Sequence, residues 1–160
     1  MDALIRILQK NALTPREDIA RQLDFSIDEV EKKIAELEKE GIILGYSALI
    51  NREKWDTDRV TALIEVKITP EREGGFDRVA ARIARFEEVQ SCYLMSGGYD
   101  LLIVVEGNSL KEVAAFVAQR LSTVEAVQGT ATRFRLKTYK ENGAYHDFEI
   151  AASTRLAVSP

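Results

Sequence analysis

The side chains best suited to nucleophilic or metal chemistry, cysteine and histidine, occur once each, at Cys92 and His146. One thiol closes no internal disulfide, and one thiol with one imidazole is too few donors for a structural metal site. Cys92 lies in an apolar stretch and reads as a small core residue. His146 stands beside Asp147 in a polar tail, with no serine or cysteine motif to act on, and reads as a solvated side chain. Neither a metal nor a cofactor is expected. Two other groups of residues have chemistry to offer. The run Gly97-Gly98-Tyr99-Asp100 separates two apolar stretches, and its glycines reach positive φ without steric penalty, so it reads first as a turn. Arg16, Arg21, Ile27, Asp28, Lys32 and Lys33 cluster on two short amphipathic segments, where the cations suit phosphates.

Those segments need elements to hold them. Leu4, Ile5 and Leu8 recur at helical spacing up to about Asn11. Thr14-Pro15-Arg16-Glu17 has the form of a capping box with proline at the first helical position, followed by Ile19, Ala20 and Leu23 on one side. Ser26-Ile27-Asp28-Glu29 repeats the box. A third helix follows it, with the stripe Val30, Ile34, Leu37 and a stop at Gly41. Asp24-Phe25 leaves room only for a tight turn, so the second and third helices form a helix-turn-helix. Residues 42–50 suggest a small hairpin or an extended arm around Gly45. Residues 51–58 are polar and read as the connection, with Trp55 as an anchor packing that arm.

From residue 59 the pattern is strand, helix, strand, strand, helix, strand. Ala62, Ile64, Val66 and Ile68 alternate. Phe76, Val79, Ala80 and Ile83 have helical spacing after Gly74-Gly75. Residues 89–95 and 101–105 are strands on either side of the glycine turn. Ser109 caps a second helix whose inner side is Val113, Phe116, Val117 and Leu121, and residues 130–139 form the last strand. This is the ferredoxin-like βαββαβ order, a four-stranded antiparallel sheet with both helices on one face, so the fold class is α+β. The uncovered face calls for a partner, and a second copy is the simplest one. The tail, 141–160, offers one further strand near residues 148–151. The domain plan is therefore 1–50, 51–58, 59–140 and 141–160.

The 160 residues carry a net charge of −4, divided as −3, −1, +2 and −2 over those four segments. At 46% hydrophobic and 30% charged the chain is neither disordered nor a membrane protein. Its apolar runs fall far short of the ~20 residues a membrane span needs, and the N-terminus has no export signature. A cytoplasmic protein without a membrane partner is expected.

Ser26, Val30, Lys33-Ile34, Leu37, Gly41 and Ile43, in this order, resemble the recognition-helix frame of the feast/famine, or Lrp/AsnC, family of transcription regulators. Residues 46–50 resemble the strand that follows it there, and Gly97-Gly98-Tyr99-Asp100 entering residues 101–105 resembles a second family signature. The resemblance covers roughly residues 2–140. It implies a winged-helix-like reader of double-stranded DNA, with the third helix in a major groove. Arg16, Arg21, Lys32 and Lys33 would then be the candidate phosphate contacts, with Ile27 and Asp28 near the base edges. It also implies that the 97–100 loop lies at a subunit interface and helps hold a small effector, commonly an amino acid. Loop backbone groups would take the carboxylate and Asp100 the ammonium, with Thr130 and Thr132 as hydroxyl contacts from the last strand. The implied assembly is a homo-oligomer, dimer or octamer, that regulates transcription and is not an enzyme.

Two alternatives stand beside this one. Residues 26–40 hold three lysines against six carboxylates, and carboxylates near phosphates weaken attraction. That favours an effector-binding oligomer without DNA affinity. A sirohaem-decarboxylase-like enzyme shares the architecture but would need a histidine supply this chain lacks.

Overall fold

The computed structural model describes residues 2–56, 58–70 and 74–146. The chain divides into two compact units, residues 1–49 and 50–160.

The first unit holds α1 (Asp2–Lys10), α2 (Arg16–Leu23) and α3 (Ile27–Lys39). Leu4 and Leu8, Ile19 and Ala20, and Val30, Ile34 and Leu37 close on one another as a single buried cluster, with Ile43 packed at its margin. The turn between α2 and α3 is as tight as expected. Asp24 takes a left-handed conformation (φ 54°), and the N–H groups of Asp24 and Phe25 both return to the Ala20 carbonyl. The Ser26 capping box forms in full. Glu29 N–H donates to Ser26 Oγ (3.2 Å), and Ser26 N–H donates to Glu29 Oε2 (2.8 Å). α3 ends at Gly41 (φ 68°). Gly41 N–H reaches the Glu38 carbonyl and Ile42 N–H the Leu37 carbonyl, the two bonds of a Schellman motif.

The expected box at Thr14 does not form. Asn11 closes α1 instead: its side chain accepts from Leu13 N–H, and its carbonyl accepts from the Thr14 hydroxyl at 2.7 Å. The hydroxyl is spent backwards, so α2 begins one residue late, behind Pro15 and without a side-chain cap. Beyond Gly41, residues 43–50 form no regular element and pair with no strand among the described residues, so the hairpin does not form.

The second unit opens with a short helix, α4 (Arg52–Trp55), in the connection. Trp55 is 72% exposed there, so it anchors nothing among the described residues. Then follow β1 (Val60–Ile68), α5 (Gly75–Ile83), β2 (Val89–Leu94), β3 (Leu101–Gly107), α6 (Leu110–Phe116) and β4 (Val127–Phe134). Ser109 caps α6 through Glu112 N–H. The helix runs on through a wider π-type turn, Val117–Leu121, that keeps Leu121 buried. All strand pairs are antiparallel, in the order β2-β3-β1-β4. β4 starts earlier and ends earlier than its β-branched residues suggested. It bulges opposite Lys67/Ile68, and its last bond to β1 runs from the Arg135 N–H to the Thr61 carbonyl, after which residues 136–138 leave the sheet.

Alternation now has a physical content. Ala62, Ile64 and Val66 lie opposite Val105, Ile103 and Leu101 in register, and all six are buried against Val79 and Ile83 of α5 and Val113 and Phe116 of α6. Phe86 meets Phe116 edge to face at 5.5 Å, and the Arg120 guanidinium covers both rings while pairing with Glu88. A two-residue hairpin, β5 (Lys140–Glu141) and β6 (Ala144–Tyr145), follows β4. The tail strand expected near residues 148–151 lies outside the described residues.

Ser26→Ala removes an N-cap acceptor and is expected to destabilise the first unit by about 1 kcal/mol in denaturant titrations. The Ser26 backbone N–H, and then its hydroxyl, hold the Glu29 carboxyl below its ordinary value. A folded-state value lower than the unfolded one gives stability above the unfolded carboxylate range, lost as pH falls through the folded value. Glu29→Gln should therefore flatten the acid limb of the first unit's stability profile.

Candidate functional site

Burying Val30, Ile34 and Leu37 decides what α3 shows to solvent. Ile27, the first residue of the helix, is 42% exposed. Asp28 and Lys32 are exposed as well, clear of the packed stripe. Glu29 is folded back on Ser26, its Oε2 accepting from the Ser26 N–H and hydroxyl, and it remains exposed. Lys33 does not project freely: its ammonium lies 5.0 Å above the Phe25 ring, over the α2–α3 turn. On α2, Arg16 is half-buried at the helix start. Arg21 is paired with Asp18 at 3.3 Å, both side chains well exposed, and a pair of that kind contributes at most ~1 kcal/mol and is free to exchange for a phosphate. The six residues named from the sequence thus belong to one helix pair, but only Ile27, Asp28 and Lys32 present their ends outward without an internal partner among the described residues.

A contact that sequence reasoning missed holds the arm to this helix. The Tyr46 hydroxyl donates to Glu38 Oε1 at 2.9 Å. Lost hydration and the adjacent Glu38 carboxylate push the phenol's pKa up, so the proton stays in the bond. No periodicity links residue 38 to residue 46.

In the second unit, the 97–100 loop crosses the end of β1. Asp100 N–H donates to the Val66 carbonyl (3.0 Å), its carboxylate accepts from Ile68 N–H (2.8 Å), and its carbonyl accepts from Met95 N–H. Asp100 is thereby the staple that fixes the loop to the sheet, and one of its oxygens is already committed. Gly97 sits at φ 142°, which a side chain would strain, whereas Gly98 has no such demand and open space around it. Tyr99 is half-buried. Thr130 and Thr132 lie opposite Val66 and Ile64 in register, one half-buried and one exposed. No hydrogen bond joins either to the loop among the described residues.

Neighbouring β4 also carries Arg133, whose Nε and Nη2 grip both oxygens of Glu65 at 3.0 and 3.1 Å. The fork lies on the face away from α5 and α6, as Leu63 and Arg133 face each other in register. Sixty-eight residues separate the partners, and nothing local announces them. Cys92, half-buried on β2, has its thiol pKa raised by burial and its sulfur 4.0 Å from the Ala80 carbonyl, as an inert packing residue should.

Two family models match this geometry segment by segment: the Lrp/AsnC ligand binding domain over residues 61–145 and a winged helix-turn-helix DNA-binding domain over residues 3–43. An uncharacterised HTH-type transcriptional regulator, YugG of Bacillus subtilis, is 47% identical over 98% of this chain and 95% of its own length. A Neisseria meningitidis transcriptional regulator solved in complex with L-Met aligns with TM-score 0.66 at 25% identity, covering 86% of this chain and 88% of that one. A feast or famine regulatory protein from M. tuberculosis, also complexed with L-methionine, aligns with TM-score 0.70 at 26% identity, covering 90% and 95%.

Asp100→Ala leaves the Ile68 N–H without its acceptor and is expected to destabilise the second unit by about 1–3 kcal/mol in chemical denaturation. Asp100→Asn keeps one acceptor oxygen and should lose clearly less.

Proposed function

This chain belongs to the Lrp/AsnC family of transcriptional regulators, and from that premise we propose that it binds double-stranded DNA sequence-specifically and answers to an amino acid. Residues 1–50 are the reader, 51–58 the connection, and 59–140 the sensing and pairing domain. The N-terminal end of α3 enters the major groove, Ile27 and Asp28 meeting base edges and Lys32 a neighbouring phosphate. Arg16 and Arg21 take phosphates from α2, and Lys33 does so by leaving Phe25. One observation carries this reading. The apolar stripe of α3 is fully packed, so Ile27, Asp28 and Lys32 at the start of the helix are left facing outward.

Sensing rests on the 97–100 loop, with Gly97 and Gly98 offering backbone groups to a carboxylate, Tyr99 a wall, and the remaining oxygen of Asp100 an ammonium contact. Thr130 and Thr132, in register with the core-facing Val66 and Ile64, join the site only after the loop moves, since among the described residues they do not bond to it. The L-Met complexes of the two similar regulators support an amino acid as the ligand class. Two copies pair through the sheet face that α5 and α6 leave open and present two readers to a pseudo-palindromic site, half-sites about one helical turn apart or a multiple of it. The effector acts by favouring one such arrangement. The protein works in the cytoplasm.

Fluorescence anisotropy with DNA from upstream of its own gene tests the reader. Binding should exceed that of scrambled DNA and fall with salt, and Lys32→Ala should lower affinity on every sequence while reducing the salt slope by about one. Equal binding to both DNAs even at low salt overturns the specific-regulator reading and favours a DNA-free effector oligomer. In thermal-shift scans of the twenty amino acids, at least one should raise Tm in the native chain and not in Tyr99→Ala. A flat panel overturns the sensing assignment.

A further inference from the structure

The open face of the sheet ends, beside the connection, in a polar layer. Arg52 of α4 and Arg59 just ahead of β1 both donate to Oε2 of Glu106, at 3.0 and 3.1 Å, and the Glu106 side chain is only 9% exposed. Arg59 Nε also lies 3.3 Å from Asp56. On the other side of β1, Arg135 donates to Glu141 of the hairpin (2.8 Å) and to Thr61 Oγ (2.9 Å). Between these groups lies a cavity of about 130 Å³ lined by Arg52, Arg59, Thr61, Arg135 and His146, with Asp56 and Glu141 in its wall.

The layer is not self-sufficient. His146 is half-buried rather than solvated. Its Nδ1 is cut off from water and has no hydrogen-bond partner among the described residues. Asn51 beside it donates from Nδ2 to the His146 carbonyl at 3.1 Å and so helps hold the imidazole at the cavity. A buried orphan such as Nδ1 carries a penalty unless something completes it. Each guanidinium has five N–H donors in a planar fork, and the contacts named above leave several of them on Arg52, Arg59 and Arg135 for a guest. The Thr61 oxygen accepts from Arg135 while its own proton remains to be donated. A water takes about 30 Å³ of liquid, so the cavity suits a guest of a few heavy atoms.

We propose that this cavity is a small-oxyanion site for a carboxylate or a phosphate. Arg52, Arg59 and Arg135 converge on it as charge-assisted donors, and Thr61 adds a neutral one. The site is separate from the 97–100 loop and does not depend on that loop binding an effector. Its occupant would bridge α4, β1, the end of β4 and the hairpin. It would thereby fix α4, the first helix of the second unit.

Trp55, the sole tryptophan, sits on α4 within one helical turn of Arg52 and reports on the site. The full chain is titrated separately with inorganic phosphate and with lactate at constant ionic strength, sodium chloride serving as the balance. Trp55 emission is read alongside calorimetry, which captures binding silent to the indole. Saturable binding is expected in at least one arm, and the responding arm tells phosphate from carboxylate. Arg135→Lys keeps the charge but loses the fork and should weaken binding about tenfold or more, as should Arg52→Gln. Lys111→Gln, an exposed charge on α6 outside the cavity lining, should leave it unaltered. Absence of saturation in both arms by both readouts overturns the proposal, and so does native-like binding in both arginine variants. Loss of binding in Lys111→Gln with retention in the arginine variants would move the oxyanion out of the cavity and overturn it equally.

Discussion

Helices cover one side of a four-stranded sheet and not the other, and most of what this chain can do follows from that asymmetry. In an antiparallel sheet, neighbouring residues along a strand point to opposite faces. Once Ala62, Ile64 and Val66 with Leu101, Ile103 and Val105 are committed to α5 and α6, Leu63, Leu102 and Val104 are obliged to face the other way. They stand there half-buried by their neighbours, with Tyr93 exposed beside them. The Arg133–Glu65 fork crosses the same face. An apolar centre with a bidentate ion pair set into it is a surface suited to a matching sheet, since the pair adds a register requirement to a non-directional attraction. Where the helices sit is thus what leaves this face free for a matching one.

The reader obeys a different constraint. Its helices are short, and α1, α2 and α3 bury one small cluster between them, so local bonds carry much of the specification. The Ser26–Glu29 box and the Schellman turn at Gly41 set both ends of α3. The same box ties the Glu29 carboxylate to the start of the helix, where it stays exposed and charged. Capping and recognition are therefore not independent: the carboxylate that fixes the helix start also stands where phosphates would come.

What the sequence disclosed is what local patterns encode. Period-two alternation placed β1 and β3, the 30/34/37 stripe placed α3, and Gly41 its end. At Thr14 two local patterns competed, and the Asn11 turn took the hydroxyl that the box required. The bounds of β4 were misread because a bulge and the departure after residue 135 are set by its partner strand. Trp55 and His146 exchanged their expected environments, one exposed and one half-buried, since contacts between residues 51 and 146 leave no trace in either neighbourhood. The same holds for Tyr46 with Glu38 and Arg133 with Glu65. The loop at 97–100 was legible as a turn, but the role of Asp100 as its staple depends on Ile68, thirty-two residues away.

Sedimentation velocity on the full chain, from below to above micromolar concentration, puts the central claim to its most direct test. The account predicts a sedimenting species of two or more chains, which Tyr93→Glu together with Leu102→Lys on the uncovered sheet face dissociates while circular dichroism keeps the fold. A monomer across the whole concentration range would contradict it, for then the uncovered face is content with water.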